Sequence, residues 1–290
     1  MLRSMNDLEK YTIAASDGHV GMVKDVLFDD LTWVVRYFVV ETGLWLMHRK
    51  VLISPISIQK PNRWEHILPV LITTDQVKNS PNIDTDQPVS RQHEMDYLGF
   101  YGYPNYWGGT GLWAGGMYPY LMYPGYIDSL NGDEEIHKAE VAHQAVYETV
   151  NQEHLATNKS TNQENHQNKD PNLRSCQAII DYHVNAKDGD IGHIAEILVE
   201  ENTWAVRYLV INTSNWWGGH QVLISPEWIK DIDWLDESLT IDLTRQLVKD
   251  SPEYDSTEQI NRHQEAEMYE HYGLTGYWAR APKANLVAPQ

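Results

Sequence analysis

The chain has 290 residues, 42% of them hydrophobic, which is enough for two domains with real cores and too apolar for a chain disordered throughout. Its 22 Lys and Arg stand against 41 Asp and Glu, and the formal charge of −19 repels phosphate backbones, which counts against direct nucleic-acid binding. A single cysteine, Cys176, excludes an internal disulfide and a Cys-rich metal cluster, and residues 1–11 lack the apolar run of a signal peptide, so a cytoplasmic location is expected.

In chain order, Ser16-Asp17-Gly18 predicts a tight turn. The β-branched runs 20–28, 33–40, 51–53 and 67–72 predict short strands, with the polar corner Asp29-Asp30-Leu31-Thr32 between the first two. Residues 73–78 read as a single helical turn stopped by Ser80-Pro81. Residues 108–127 are free of charge until Asp128 and rich in Gly, Tyr and Pro, too broken and too short to span a membrane. Residues 133–154 carry the apolar stripe of a helix, and the Asn/Gln-rich stretch 157–170 has the composition of a flexible linker. The strand pattern then returns over 191–199, 204–211, 222–224 and 239–243, followed by a helical turn at 244–249 and a short polar helix over 258–272.

The return is a repeat. Asp17-Gly18-His19-Val20-Gly21 recurs as Asp188-Gly189-Asp190-Ile191-Gly192, and Trp33-Val34-Val35-Arg36-Tyr37 as Trp204-Ala205-Val206-Arg207-Tyr208. Val51-Leu52-Ile53-Ser54-Pro55 recurs as Val222-Leu223-Ile224-Ser225-Pro226, and the same offset carries Tyr106-Trp107 to Tyr277-Trp278. Such similarity implies duplication. The expected organisation is a first repeat with a helical extension over residues 1–107, a Gly/Tyr-rich segment, helix and polar linker over 108–175, and a second repeat with its extension over 176–280. So many short strands favour closure into small barrels, and two equivalent copies can bury equivalent edges about a pseudo-twofold axis, making the chain pseudo-dimeric.

The Asp-Gly-x-hydrophobic-Gly turn, the acidic corner, the Trp-x-Val-Arg-Tyr strand and the Leu-Ile-Ser-Pro stretch together resemble the PRC-barrel domain over residues 8–72 and 178–243. That domain is named for the cytoplasmic part of the H subunit of photosynthetic reaction centres. It is also similar to the C-terminal domain of the bacterial ribosome-maturation factor. The resemblance implies a mainly β fold: two PRC-barrel-like small β-barrels in tandem, with short C-terminal helices and one inter-domain helix. Free-standing members of the family are regarded as adaptor or assembly modules, so the resemblance carries over no catalytic residue and no cofactor. The expected function is a non-enzymatic binding or scaffold protein acting on a protein partner. The alternative is an accessory subunit of a photosynthetic or respiratory electron-transfer complex, associated peripherally with a membrane complex in a reaction-centre H-like role of assembly or proton delivery. Nucleic acid is reached, if at all, through a protein partner.

The repeat signature Asp17, Gly18, Gly21, Arg36 and its counterpart Asp188, Gly189, Gly192, Arg207 reads as structural, with the glycines at turns and close backbone approaches. The mid-strand arginines are expected to pair with Asp25 and Glu196 on the preceding strand. Trp33, Trp204, Trp45 and Trp216 read as barrel plugs. Exposed aromatics that differ between the copies are the docking candidates: Trp113 in the first, and Trp216 and Trp217 with His220 in the second. His263, Glu267 and His271 are spaced four apart on one helical face, but nothing supplies a further ligand, so no metal site is assigned.

Overall fold

The structure, a computed structural model, describes residues 1–59, 65–83, 89–107, 109, 111–114, 116–124, 172–213 and 220–279. The first half runs β1 (Leu2–Ser4), α1 (Met5–Leu8), β2 (Thr12–Ala15), β3 (Gly18–Asp29), β4 (Val34–Thr42), β5 (Lys50–Ile53), β6 (Ile67–Pro69), α2 (Thr74–Asn79) and α3 (Arg91–Tyr101). The second runs β7 (Leu173–Ser175), β8 (His183–Ala186), β9 (Gly189–Glu200), β10 (Val206–Asn212), β11 (Gln221–Ile224), β12 (Ile229–Asp233), β13 (Ser238–Ile241), α4 (Arg245–Lys249) and α5 (Arg262–His271). The fold is mainly β.

The two sheets share one plan. The first has the order β5-β4-β3-β2-β6 and the second β11-β10-β9-β8-β13-β12; apart from β12, each strand matches its partner by the offset of 171 that takes Asp17 to Asp188. β2 runs parallel to β6, as β8 does to β13. The long strands β3 and β9 are bent by register shifts against β4 and β10, which let one strand curl around the core.

The expected closed barrels are instead open, strongly bent sheets. Both edges of each ladder belong to one stretch of chain: after β5 a 3-10 turn, Pro55–Ser57, leads to Ile58, which bridges Val70, and after β11 the turn Pro226–Trp228 leads into β12. Closure fails locally because Pro55 and Pro226 have no N–H to donate, while Ser54 and Ser225 turn their hydroxyls onto the amides of Ile56 and Glu227.

The halves also exchange strands. β1 pairs with β9 of the second sheet, and β7 pairs with β3 of the first. An arginine follows each exchanged strand across: Arg3 Nε donates to Glu201 at 2.8 Å, and Arg174 Nε donates to Asp30 at 2.9 Å. At the centre Val34 bridges Ala205, its own counterpart, flanked by Val35 N–H to Trp204 O at 2.8 Å and Val206 N–H to Trp33 O at 2.7 Å. Buried apolar residues from both halves join one core. β7 lies inside residues 108–175, so that span is not all connector.

The helix expected over 258–272 is shorter, because the Asn261 side chain and Gln264 form a capping box that starts α5 at Arg262. Its counterpart α3 begins after Ser90 and ends at Gly102, whose φ of +68° suits a helix C-terminus. The helix expected over 133–154 and the linker over 157–170 lie outside the described residues. Among the described residues no helix is long and apolar enough to cross a membrane.

Candidate functional site

The repeat signature performs backbone work. Asp17 accepts the Thr74 amide at 2.7 Å and the Thr74 hydroxyl at 3.0 Å, and Asp188 accepts the Arg245 amide at 2.7 Å, so each turn is latched onto the start of the following helix. The amide bond from Thr74 holds the Asp17 carboxyl below its usual value. A Cβ on Gly21 would stand 2.0 Å from the Glu41 carbonyl oxygen, and one on Gly192 2.0 Å from that of Asn212. No side chain fits there. Gly189, with φ +139°, also needs glycine's freedom, whereas Gly18 does not adopt a positive φ.

Beneath each C-terminal helix lies a buried carboxylate that the motif reading missed. Glu94 accepts from Tyr37 at 3.3 Å and from the Tyr106 hydroxyl, and pairs with Arg91 at 3.0 Å. Glu265 accepts from Tyr208 at 2.8 Å and Tyr277 at 3.0 Å, and pairs with Arg262 at 3.0 Å. Burial outweighs Arg91 and raises the Glu94 carboxyl to about 7. The signal for this network was the constant offset itself, which relates all four residue types in both copies.

The two signature arginines lie beside these networks in different surroundings. Arg36 is wholly buried: it donates to the Leu112 carbonyl at 2.7 Å and the Thr32 hydroxyl at 3.1 Å, and packs against the rings of Tyr106 at 4.0 Å and Trp113 at 4.6 Å, which meet edge-on at 6.3 Å. Desolvation lowers its pKa from the usual value. Arg207 lies over Tyr277 at 3.8 Å and donates through Nε to Glu200 at 2.9 Å. Arg207 thus pairs with an acid on the preceding strand, Glu200 in place of Glu196, whereas Arg36 does not reach Asp25. The register sets Val39 opposite Asp25 and Val210 opposite Glu196, each three residues along the strand from the arginine. Asp25 accepts the Val26 amide at 2.7 Å, and Glu196 the Ser4 hydroxyl of the exchanged strand.

Trp113 is not a docking anchor in this structure. It is 1% exposed, stacked on Arg36, with its Nε1–H donating to the Thr203 carbonyl at 2.9 Å. The buried guanidinium needs a ring and an acceptor, and residues 112–113 supply both. Trp216 and Trp217 lie outside the described residues, and His220 is half-buried, 3.0 Å from Glu253. Trp204 is buried edge-on to Phe38, and Trp33 stacks on Phe28. Trp45, expected as a plug, is 42% exposed, its indole N–H reaching back to the Val20 carbonyl.

Between the halves lies a cleft of about 930 Å³ whose walls include Trp33, Leu112, Arg174, Arg207, Trp234 and Trp278. Exposed apolar side chains at Leu31, Tyr118 and Trp278 also line it. Among the described residues no group of three His, Cys, Asp or Glu is arranged for a metal; His263 is 3.3 Å from Glu267, while His271 turns to the Leu247 carbonyl at 2.8 Å. The buried Cys176 thiol is pushed well above its usual pKa.

No curated protein matches the chain. Residues 3–77 match the family model of the PRC-barrel domain, a span that takes in the turn at Asp17-Gly18, the Trp33–Tyr37 strand, the Leu-Ile-Ser-Pro stretch and the helix latched by Asp17. Residues 3–77 therefore carry a PRC-barrel domain.

Proposed function

We propose that the protein is a non-enzymatic, cytoplasmic binding module that receives a protein partner in the cleft between its halves. The observation that carries this reading is the cleft itself, which combines aromatic faces, an arginine and exposed apolar side chains at one place, the residue types that anchor protein interfaces. The buried carboxylates, by contrast, are held by tyrosines and an arginine in arrangements that fasten helices to sheets. A photo-crosslinking residue at Leu31, 74% exposed and lining the cleft, tests it against one at Met95, 45% exposed on α3 and not among the cleft's lining residues. In extracts of the native host the Leu31 probe should capture a specific chain that the Met95 probe does not. Equal capture by both, or none by either, refutes the reading.

One observation favours the reading as an accessory subunit docked on a membrane complex: Leu44 and Met47 are 84% and 91% exposed at the tip of one loop, beside Trp45. Cosedimentation with host membranes that is lost on Leu44→Glu would support it.

A further inference from the structure

The pseudo-twofold plan provides an internal template for what enters the cleft. In the first half the site around Arg36 is filled by the chain itself. Leu112 presents its carbonyl to Arg36 Nη1, and Trp113 sets a second ring against the guanidinium, edge-on to Tyr106, and donates to the Thr203 carbonyl. In the second half the receiving side is repeated. Arg207 has Tyr277 on one face as Arg36 has Tyr106, and its Nη2 reaches Thr203 Oγ1 at 3.4 Å as that of Arg36 reaches Thr32. Thr32, the counterpart of Thr203, lines the cleft.

The filling side is not repeated. The position equivalent to Trp113 is Ala284, and Trp278 is the last tryptophan in the sequence. Among the described residues Arg207 has no second ring over its guanidinium, and its Nη1 has no hydrogen-bond acceptor. Its side chain keeps 13% of its surface exposed and lines the cleft, where Arg36 is 1% exposed. A planar cation with one ring where its counterpart has two, and with one spare donor, calls for an electron-rich ring joined to a carbonyl. A tryptophan preceded by an ordinary peptide bond has both.

We infer that Arg207 and the cleft around it bind a tryptophan-bearing extended segment of a partner protein, the ring standing against Arg207 where Trp113 stands against Arg36 and the carbonyl of the preceding residue accepting from Nη1. This rests on the cleft's being a partner site and adds what the partner must carry.

The probe is a capped peptide of residues 109–116, Gly-Thr-Gly-Leu-Trp-Ala-Gly-Gly, titrated by calorimetry into the full chain. Saturable binding at roughly 1 mM or tighter is expected, weakened at least about tenfold by the Trp113→Ala version of the peptide, which leaves the protein untouched, and similarly by Arg207→Lys in the protein, which keeps the charge and loses the flat stacking face. Equal binding of the two peptides, or no binding at all, overturns the inference. So does binding that appears only in a chain ending at Ala279, because the chain's own tail would then be the occupant. The Leu31 crosslink separates the two claims. A partner still captured there, with neither peptide binding, leaves the cleft reading standing and removes the tryptophan. Peptide binding with no Leu31 capture does the reverse.

Discussion

Near the start of β4 the guanidinium of Arg36 packs against two rings, and at the same place in β10 that of Arg207 meets one among the described residues. The acids nearby differ by a methylene. Asp29 turns inward on its own corner, accepting the amides of Leu31 and Thr32 at 3.0 Å each. Glu200 has the reach to accept from Thr203 at 2.8 Å and from Arg207 at 2.9 Å. An arginine that keeps its carboxylate can remain at a water-filled cleft, and one that lacks it must be satisfied by neutral acceptors and ring faces once buried. Duplication thus leaves one plan with one copy closed by its own chain and the other open.

The largest expected break in the comparison is Trp113→Ala. It removes a buried indole together with the cover of a buried cation and should cost about 3–5 kcal/mol in chemical denaturation. Trp278→Ala, at a 39% exposed position, should cost about 1 kcal/mol or less. Equal costs would show that the two arginine sites are alike after all.

The exchanged strands offer a graded comparison. Arg3 and Glu201 are nearly buried, with side chains 8% and 6% exposed, so Arg3→Ala breaks a nearly buried ion pair and should cost about 3 kcal/mol. Arg174→Ala faces the wetter Asp30 and should cost about half that. Denaturant midpoints of the two variants, with unchanged m-values, would measure the asymmetry directly.

Where the copies share a close approach, substitutions should both hurt. Gly21→Ala and Gly192→Ala each press a methyl onto a carbonyl of the neighbouring strand; the first should lose about 2–3 kcal/mol in the same denaturation, and the second more, because the φ of +135° at Gly192 adds backbone strain. A loss at one position alone would mean that only one sheet is held as tightly as described.

The remaining effect is pH-dependent. With Glu94 at about 7 in the folded chain and its ordinary value near 4.5 when unfolded, the folded state binds the extra proton between those values. The stability this gives is fully present below about 4.5 and is lost as pH rises through about 7. Glu94→Gln cannot titrate, so between pH 5 and pH 8 the wild type should lose about 2 kcal/mol relative to the variant. Parallel pH curves for the two proteins would exclude the shifted carboxyl.

By itself the sequence determined what depends on neighbours along the chain: the β-branched runs, the Asp-Gly turns, the Ser-Pro stops, and the constant offset that made two sheets of one plan predictable. The α5 boundary was off because a cap depends on side-chain geometry at Asn261 and Gln264 rather than on composition. Tertiary structure alone decided the strand exchange, since Leu2-Arg3-Ser4 and Leu173-Arg174-Ser175 are too short to show a period, and their pairing spans nearly two hundred residues in one case. It also decided the place of Trp113. A tryptophan among glycines looks exposed until the cation it covers is known, and that cation stands 77 positions earlier, in the middle of a strand. Backbone patterns are local and repeat with the sequence, whereas the burial of a ring is set by whichever surface the chain brings to it.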